Sequence, residues 1–111
     1  MPHWIAAGEC ALSLYCAATL KDRRHVVKSL IDGARSRFNV SYADVSPKAE
    51  DMSGVRLGFA ACGSARAELE ERMRNLEKYL SQREENDGEF ELIDFTWEVI
   101  AYGDLSYTED Q

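Results

Sequence analysis

Two kinds of hydrophobic spacing alternate along this chain of 111 residues, and their order limits the folds it can adopt. In four segments apolar residues recur at every second position, which is typical of strands with one buried face. In two others they recur at helical spacing. The resulting order is β-α-β-β-α-β. Because βαβ crossovers are right-handed, the sequence predicts an α+β, ferredoxin-like sandwich: a four-stranded antiparallel sheet with two helices on one face.

The predicted strands cover residues 4–16, 39–45, 55–62 and 90–102. The second of them is the most polar, so we expect it at an edge of the sheet. In the fourth, strict alternation places Ile93, Phe95, Trp97 and Val99 on one face.

The two predicted helices begin and end at recognisable signals. Thr19 opens a Thr-Leu-Lys-Asp capping box, in which the threonine hydroxyl accepts from an amide of the first turn. Ser64 is the expected N-cap of the second helix, and Asn86-Asp87-Gly88 is expected to end it. Gly33 lies inside the first helix at a cost of about 1 kcal/mol relative to alanine. We attribute it to close packing of the backbone.

Length and composition favour one domain, at residues 1–102, followed by a frayed acidic tail at 103–111. No apolar run approaches the ~20 residues that cross a bilayer, and no secretory signal is expected at the N-terminus. The cysteines are odd in number and have apolar neighbours, so we expect reduced thiols in the core and a cytoplasmic location. The order and role of the 46–53 loop stay open.

Charge is distributed unevenly. The net charge is −7, yet residues 19–38 carry six bases against two acids, a local +4, so the other residues total −11. An acidic chain with one basic helix is no general nucleic-acid binder, but the helix can present a local cationic surface.

Residues 19–45 read TLKDRRHVVKSLIDGARSRFNVSYADV and resemble the first helix and second strand of the YlxP-like bacterial proteins, a family of unknown function. The chain departs from that family at Cys16-Ala17-Ala18, where Pro-Gly is usual, and at 46–53, where Asp-Leu-Trp-Gln is usual. The resemblance implies the ferredoxin-like fold. It also implies a link to the ribosome or RNA, because the family's genes tend to lie among those for transcription elongation, translation initiation and ribosome maturation.

The basic helix is the first candidate site. Lys21, Arg24, Lys28 and Arg35 project from one side of it, and such a ridge can follow phosphates. With Arg23 they form the predicted binding face of a non-enzymatic module. Its expected partner is ribosomal RNA or a ribosome-associated protein; the alternative for the cations is that they balance the acidic remainder in solvent.

Two other functions stay open from the residues alone. A small phosphate-ester or acyl-phosphate hydrolase would use an anion pocket made by Thr19, the first-turn amides, Arg23 or Arg24, and Asn39. A protein-binding or homodimerisation module would use the sheet face that the helices leave open, with Trp4, Tyr15, Phe95 and Trp97 as its apolar surface.

No metal site, cofactor or catalytic residue is predicted. The histidines, His3 and His25, have no cysteine or carboxylate at a metal-ligand spacing. The chain also lacks a glycine-rich phosphate loop and a nucleophile elbow.

Overall fold

The computed structural model describes residues 3–15, 19–47 and 53–105. Its elements follow the predicted order, so the α+β, ferredoxin-like fold is confirmed. A single helical turn follows the last strand. The elements are β1 Trp4–Leu14, α1 Leu20–Phe38, β2 Ser41–Asp44, β3 Gly54–Gly63, α2 Arg66–Asp87, β4 Phe90–Ala101 and α3 Tyr102–Leu105.

The sheet has the order β2-β3-β1-β4 and is antiparallel throughout. β1 and β3 occupy the centre, where each has a partner on both sides. The short β2 and the long β4 form the two edges, so the predicted edge position of the second strand is confirmed.

One face of the sheet and the facing sides of the two helices form the core. Alternate residues of β1 are buried, among them Ala6, Cys10, Leu12 and Leu14, because successive side chains of a strand point to opposite faces. The helices contribute side chains at three- and four-residue spacing. Those that are almost completely buried are Leu30, Leu69, Met73, Leu76 and Leu80.

A row of aromatic rings crosses the sheet beneath the helices. Tyr42 of β2 lies 5.3 Å from Phe59 of β3, and Phe59 stacks at 5.1 Å on Phe95 of β4, measured between ring centroids. The Phe59 ring covers Gly8 of the intervening strand, where a Cβ atom would lie 2.6 Å from Phe59 Cζ. Gly8 therefore makes room for the row.

A β-bulge changes which residues of β4 are buried. Ala11 pairs with Asp94 but Leu12 pairs with Leu92, so Ile93 has no partner on β1. Ile93 is 57% exposed, and the prediction that it shares a face with Phe95, Trp97 and Val99 is wrong. The extra residue shifts the alternation, and Phe90 and Leu92 pack towards the core instead.

The helix ends confirm part of the predicted capping. The Thr19 hydroxyl accepts from Asp22 N at 3.1 Å, and Gly88 ends α2 in the left-handed conformation with φ 64°. The N-cap of α2, however, is Ala65 rather than Ser64, and it makes no side-chain cap. Asn39 is the left-handed C-cap of α1, with φ 51°, so β2 begins later than predicted.

Gly33 lies where the two helices touch. A Cβ atom at this position would lie 2.0 Å from Tyr79 Oη of α2. That hydroxyl accepts from Arg83 at 2.8 Å, and Arg83 also donates to the Ser29 hydroxyl of α1 at 2.9 Å. The close packing inferred from the sequence is therefore observed.

The structure covers only part of three sequence-based expectations: the buried cysteines, the 46–53 loop and the 103–111 tail. Cys16, residues 48–52 and residues 106–111 lie outside the described ranges. Cys10 is buried as expected, but Cys62 is exposed, so not every cysteine is a core residue. Within the described ranges, no helix is both long and apolar enough to cross a membrane.

Candidate functional site

A groove of about 560 Å³ runs between α1 and the edge strand β2. Val27 and Ile31 of α1 supply its apolar part, and Asp32 and Asp44 contribute carboxylates. Four cations line it: Arg23, Arg24, Lys28 and Arg35. We call this hollow the α1–β2 groove.

The helical repeat explains why three of these cations lie side by side. At 100° per residue, Arg24, Lys28 and Arg35 fall within about 40° of one another around α1. Arg23 lies about 100° from Arg24, on the side that faces β2. All three aligned residues are exposed, while Val27, Leu30 and Ala34, centred about 110° away around the helix, anchor α1 in the core.

Arg23 is engaged within the protein. Its guanidinium donates to Asp44 Oδ2 at 2.9 Å and to the Ser46 hydroxyl at 2.8 Å, and its side chain is only 16% exposed. Partial desolvation raises the pKa of Asp44, but hydrogen bonds from Ser46 and Arg23 outweigh it, and the pKa lies below its usual value. Arg23 thus fastens α1 to the end of β2.

The exposed cations are held less firmly. Lys28 Nζ meets Asp32 at 2.6 Å, but both side chains are more than half exposed, and such pairs contribute little to stability. Arg35 donates one N–H to the Tyr42 carbonyl at 2.9 Å, which positions a guanidinium that has five donors in all. The Arg24 side chain forms no ion pair or hydrogen bond with any described residue. Lys28 and Arg35 can exchange their present contacts for an anionic ligand, and Arg24 can bind one without giving up a contact.

Lys21 lies outside the α1–β2 groove. It lines a separate hollow of about 440 Å³ with Leu14, His25 and Glu89, at the end of the molecule where α1 begins. The structure thus brings together four of the five residues of the predicted binding face and places the fifth beside them.

The predicted anion pocket is not assembled. Thr19 caps the start of α1 and Asn39 caps its end, so they are about 30 Å apart along the helix. Arg23, a third member, is paired with Asp44. Asn39 lies instead beside α2, where its carbonyl accepts from Arg72 at 3.2 Å.

The open face of the sheet lacks the aromatic surface expected for a dimer. Trp4, Phe95 and Trp97 pack against the core on the helix side, and that part of the homodimer interpretation is wrong. Tyr15 is 60% exposed but follows the end of β1. The open face instead carries small and charged residues, including an ion pair of Glu9 with Arg56 at 2.9 Å, beside the half-buried pair of Ile5 and Ile100.

Within the described ranges, no cluster of three or more histidine, cysteine, aspartate or glutamate side chains is arranged to hold a metal ion. His3 stacks on the Tyr102 ring with centroids 5.1 Å apart. His25 lines the hollow beside Lys21.

Two buried ionisable groups lie together in the core: the Cys10 thiol and the hydroxyl of Tyr42, which belongs to the aromatic row. Burial raises the pKa of the Cys10 thiol to about 12, and the nearby hydroxyl of Tyr42 offsets only part of that effect. Burial also raises the pKa of Tyr42, with the Cys10 thiol beside it. Among the described residues, nothing forms a hydrogen bond of good geometry with Tyr42 Oη. The thiol is consequently a poor nucleophile at neutral pH.

These shifts predict a loss of stability in alkali. Between pH 9 and pH 12 the unfolded chain releases the Cys10 proton, whereas the folded protein keeps it, so the unfolded state is favoured as the pH rises. We expect this group to lower the free energy of unfolding by about 1.4 kcal/mol per pH unit in that window. Urea unfolding at a series of pH values measures the slope, and Cys10→Ala should reduce it. An unchanged slope in that variant would contradict the assignment.

The fold and the groove together define a class: a small ferredoxin-like α+β domain with a cationic groove on one helix. Residues 5–97 match the protein family described as "Protein of unknown function (DUF503)", and the chain belongs to that family. It is also similar to a Bacillus subtilis (strain 168) protein described as "Uncharacterized protein YlxP". The two are 28% identical over 72 residues, which cover 65% of this chain and 77% of the relative.

Proposed function

We propose that this protein is a non-enzymatic module that binds ribosomal RNA through the α1–β2 groove. The observation that carries the proposal is the exposed row of Arg24, Lys28 and Arg35 along one side of α1, beside a groove open to solvent. The three residues span about 16 Å of helix, enough to follow several phosphates of one strand.

The cationic side chains of Arg24, Lys28 and Arg35 favour contact with phosphates over recognition of bases. Arginine can bind two phosphate oxygens at once, and lysine supplies a point charge. The aromatic residue that lines the groove, Tyr42, is buried and cannot stack on a base. Recognition by the backbone and by shape suits structured, double-helical RNA better than unpaired nucleotides.

Two further considerations support this function over hydrolysis. The anion pocket that a phosphate-ester or acyl-phosphate hydrolase would need is divided between the two ends of α1. The gene neighbourhood implied by the resemblance to YlxP-like proteins favours a partner in ribosome maturation or translation.

Charge reversal on α1 tests the proposal against a matched change on α2. Arg24→Glu with Lys28→Glu alters the groove, whereas Arg74→Glu with Lys78→Glu makes the same net change, at the same four-residue spacing, on exposed residues of the other helix. Fluorescence anisotropy with a labelled ribosomal RNA helix measures both. We expect the α1 variant to bind at least about tenfold more weakly and the α2 variant to bind within about threefold of wild type.

The salt dependence gives a second readout of the same experiment. If about three phosphates are contacted, log K should fall with log[salt] at a slope near −2 to −3, and the α1 variant should show a shallower slope. If both variants lost the same amount of RNA affinity, total charge rather than the groove would determine binding. If the wild-type protein failed to bind at low salt, the proposed function would be excluded.

A further inference from the structure

The two edges of the sheet are protected to very different extents. β2 has only four residues, and Arg35 occupies the Tyr42 carbonyl at this edge. β4 has twelve residues, and within residues 3–15, 19–47 and 53–105 it pairs with β1 alone. An open edge strand of this length is a template for pairing with another chain.

The outward-facing amides of β4 follow from the hydrogen-bond alternation of the ladder. Tyr102 N donates to His3 O at 2.9 Å, so in the antiparallel register the residues bonded to β1 are the even-numbered ones down to the bulge. Phe95, Trp97 and Val99 therefore direct their N–H and C=O groups away from β1. Beyond the bulge, the outward amide of Leu92 is already taken by the Glu84 carboxylate at 2.6 Å.

We infer that the β4 strands of two copies of this chain pair antiparallel about a twofold axis at Trp97, which forms a continuous eight-stranded sheet. In this register Trp97 meets its own symmetry mate and Phe95 meets Val99 on the helix side. On the open side, Thr96 faces Glu98 of the second copy. Three pairs of outward-facing residues would supply six hydrogen bonds.

Charge selects this register over its neighbours. An axis at Glu98 would place two copies of that carboxylate opposite each other, and an axis at Thr96 would place Asp94 opposite Glu98. Like charges directly opposite are destabilising. An axis at Val99 would pair Phe95 with residue 103 of the second copy, which lies in α3 beyond the end of β4. An axis at Phe95 would pair Trp97 with Ile93, the bulged residue.

The inferred dimer is independent of the proposed function. The α1–β2 groove lies at the opposite edge of the sheet from β4, so both copies keep their grooves open. A failure of either proposal therefore leaves the other intact.

Two substitutions of opposite charge at the exposed residue Thr96 test the register of the β4 pairing. Sedimentation equilibrium measures the dissociation constant of each variant dimer. Thr96→Glu faces Glu98 of the second copy at two symmetry-related places, so we expect the dimer dissociation constant to rise about tenfold. Thr96→Lys should lower it by a similar factor. Ala60→Glu, an exposed change in the centre of the open face, should leave it within about twofold.

Three results would overturn the inference. Wild type could remain monomeric at high micromolar concentration. Both substitutions of Thr96 could shift the dissociation constant in the same direction. Ala60→Glu could dissociate the dimer as strongly as Thr96→Glu does, which would assign the contact to the open face rather than to the β4 edge.

Discussion

Replacing Gly8 by alanine should lower the free energy of unfolding by about 3 kcal/mol, the upper end of the usual cost of overpacking. A Cβ atom at this position would lie 2.2 Å from the backbone oxygen of Thr96 and within 2.7 Å of two atoms of the Phe59 ring. Neither neighbour can yield cheaply, since one is the backbone of the adjacent strand and the other is a nearly buried ring. Urea denaturation measures the change.

Gly58 provides the matched control, because it lies in the neighbouring central strand. Among the described residues, a Cβ atom there would meet Val45 alone, at 3.4 and 3.7 Å, which are ordinary contacts. Gly58→Ala should therefore change the stability by less than about 1 kcal/mol, with a gain from the reduced freedom of the unfolded chain. If Gly8→Ala and Gly58→Ala lowered the free energy of unfolding equally, the aromatic row would not require Gly8.

Gly33→Ala should also destabilise the protein, by about 2 kcal/mol, even though alanine is the better helix former by about 1 kcal/mol. The added methyl group would lie 2.0 Å from Tyr79 Oη. Tyr79 cannot swing aside freely, since it is 7% exposed and packs against Phe38 with centroids 5.5 Å apart.

A double-mutant cycle identifies the hydroxyl as the cause. In a Tyr79→Phe background the nearest remaining atom is Cζ, at 3.1 Å, and we expect Gly33→Ala to become neutral or stabilising. The interaction energy between the two sites should then reach about 2 kcal/mol. An additive cycle, measured by thermal or urea unfolding, would contradict this account of the helix contact.

The order of elements was predictable because it depends on local periodicity. The core pattern of α1, with Val27, Leu30 and Ala34 buried, is visible in the spacing of apolar residues. The same holds for its Thr19 cap, whose partner is only three residues away. The bulge at Ile93 was not predictable in this way, since it arises from the pairing of β4 with β1, eighty residues earlier in the chain.

The candidate site was predictable only in outline. The alignment of Arg24, Lys28 and Arg35 is a property of the helix and follows from their spacing. The engagement of Arg23 with Asp44 and Ser46 depends on how α1 packs beside β2. A sequence signal did exist, because Arg23 lies about 100° around the helix from Arg24, and that offset separates it from the exposed row.

Pairing at β4 would place two copies of the cationic row, Arg24, Lys28 and Arg35, on one dimer. Each α1–β2 groove lies at an outer edge of the inferred eight-stranded sheet, so a single dimer could contact two RNA segments. Such bivalent binding raises the apparent affinity without any new contact, provided the RNA presents both segments at the right separation.

Co-sedimentation with ribosomal subunits across a salt series tests whether the α1–β2 groove binds ribosomal RNA. We expect the wild-type protein to pellet with a subunit at low salt and to be released as the salt concentration rises. We also expect the Arg24→Glu, Lys28→Glu variant to stay in the supernatant while the Arg74→Glu, Lys78→Glu variant still pellets. Wild-type protein that remains in the supernatant at low salt, or an α1 variant that pellets as wild type does, would contradict the assignment of ribosomal RNA binding to the α1–β2 groove.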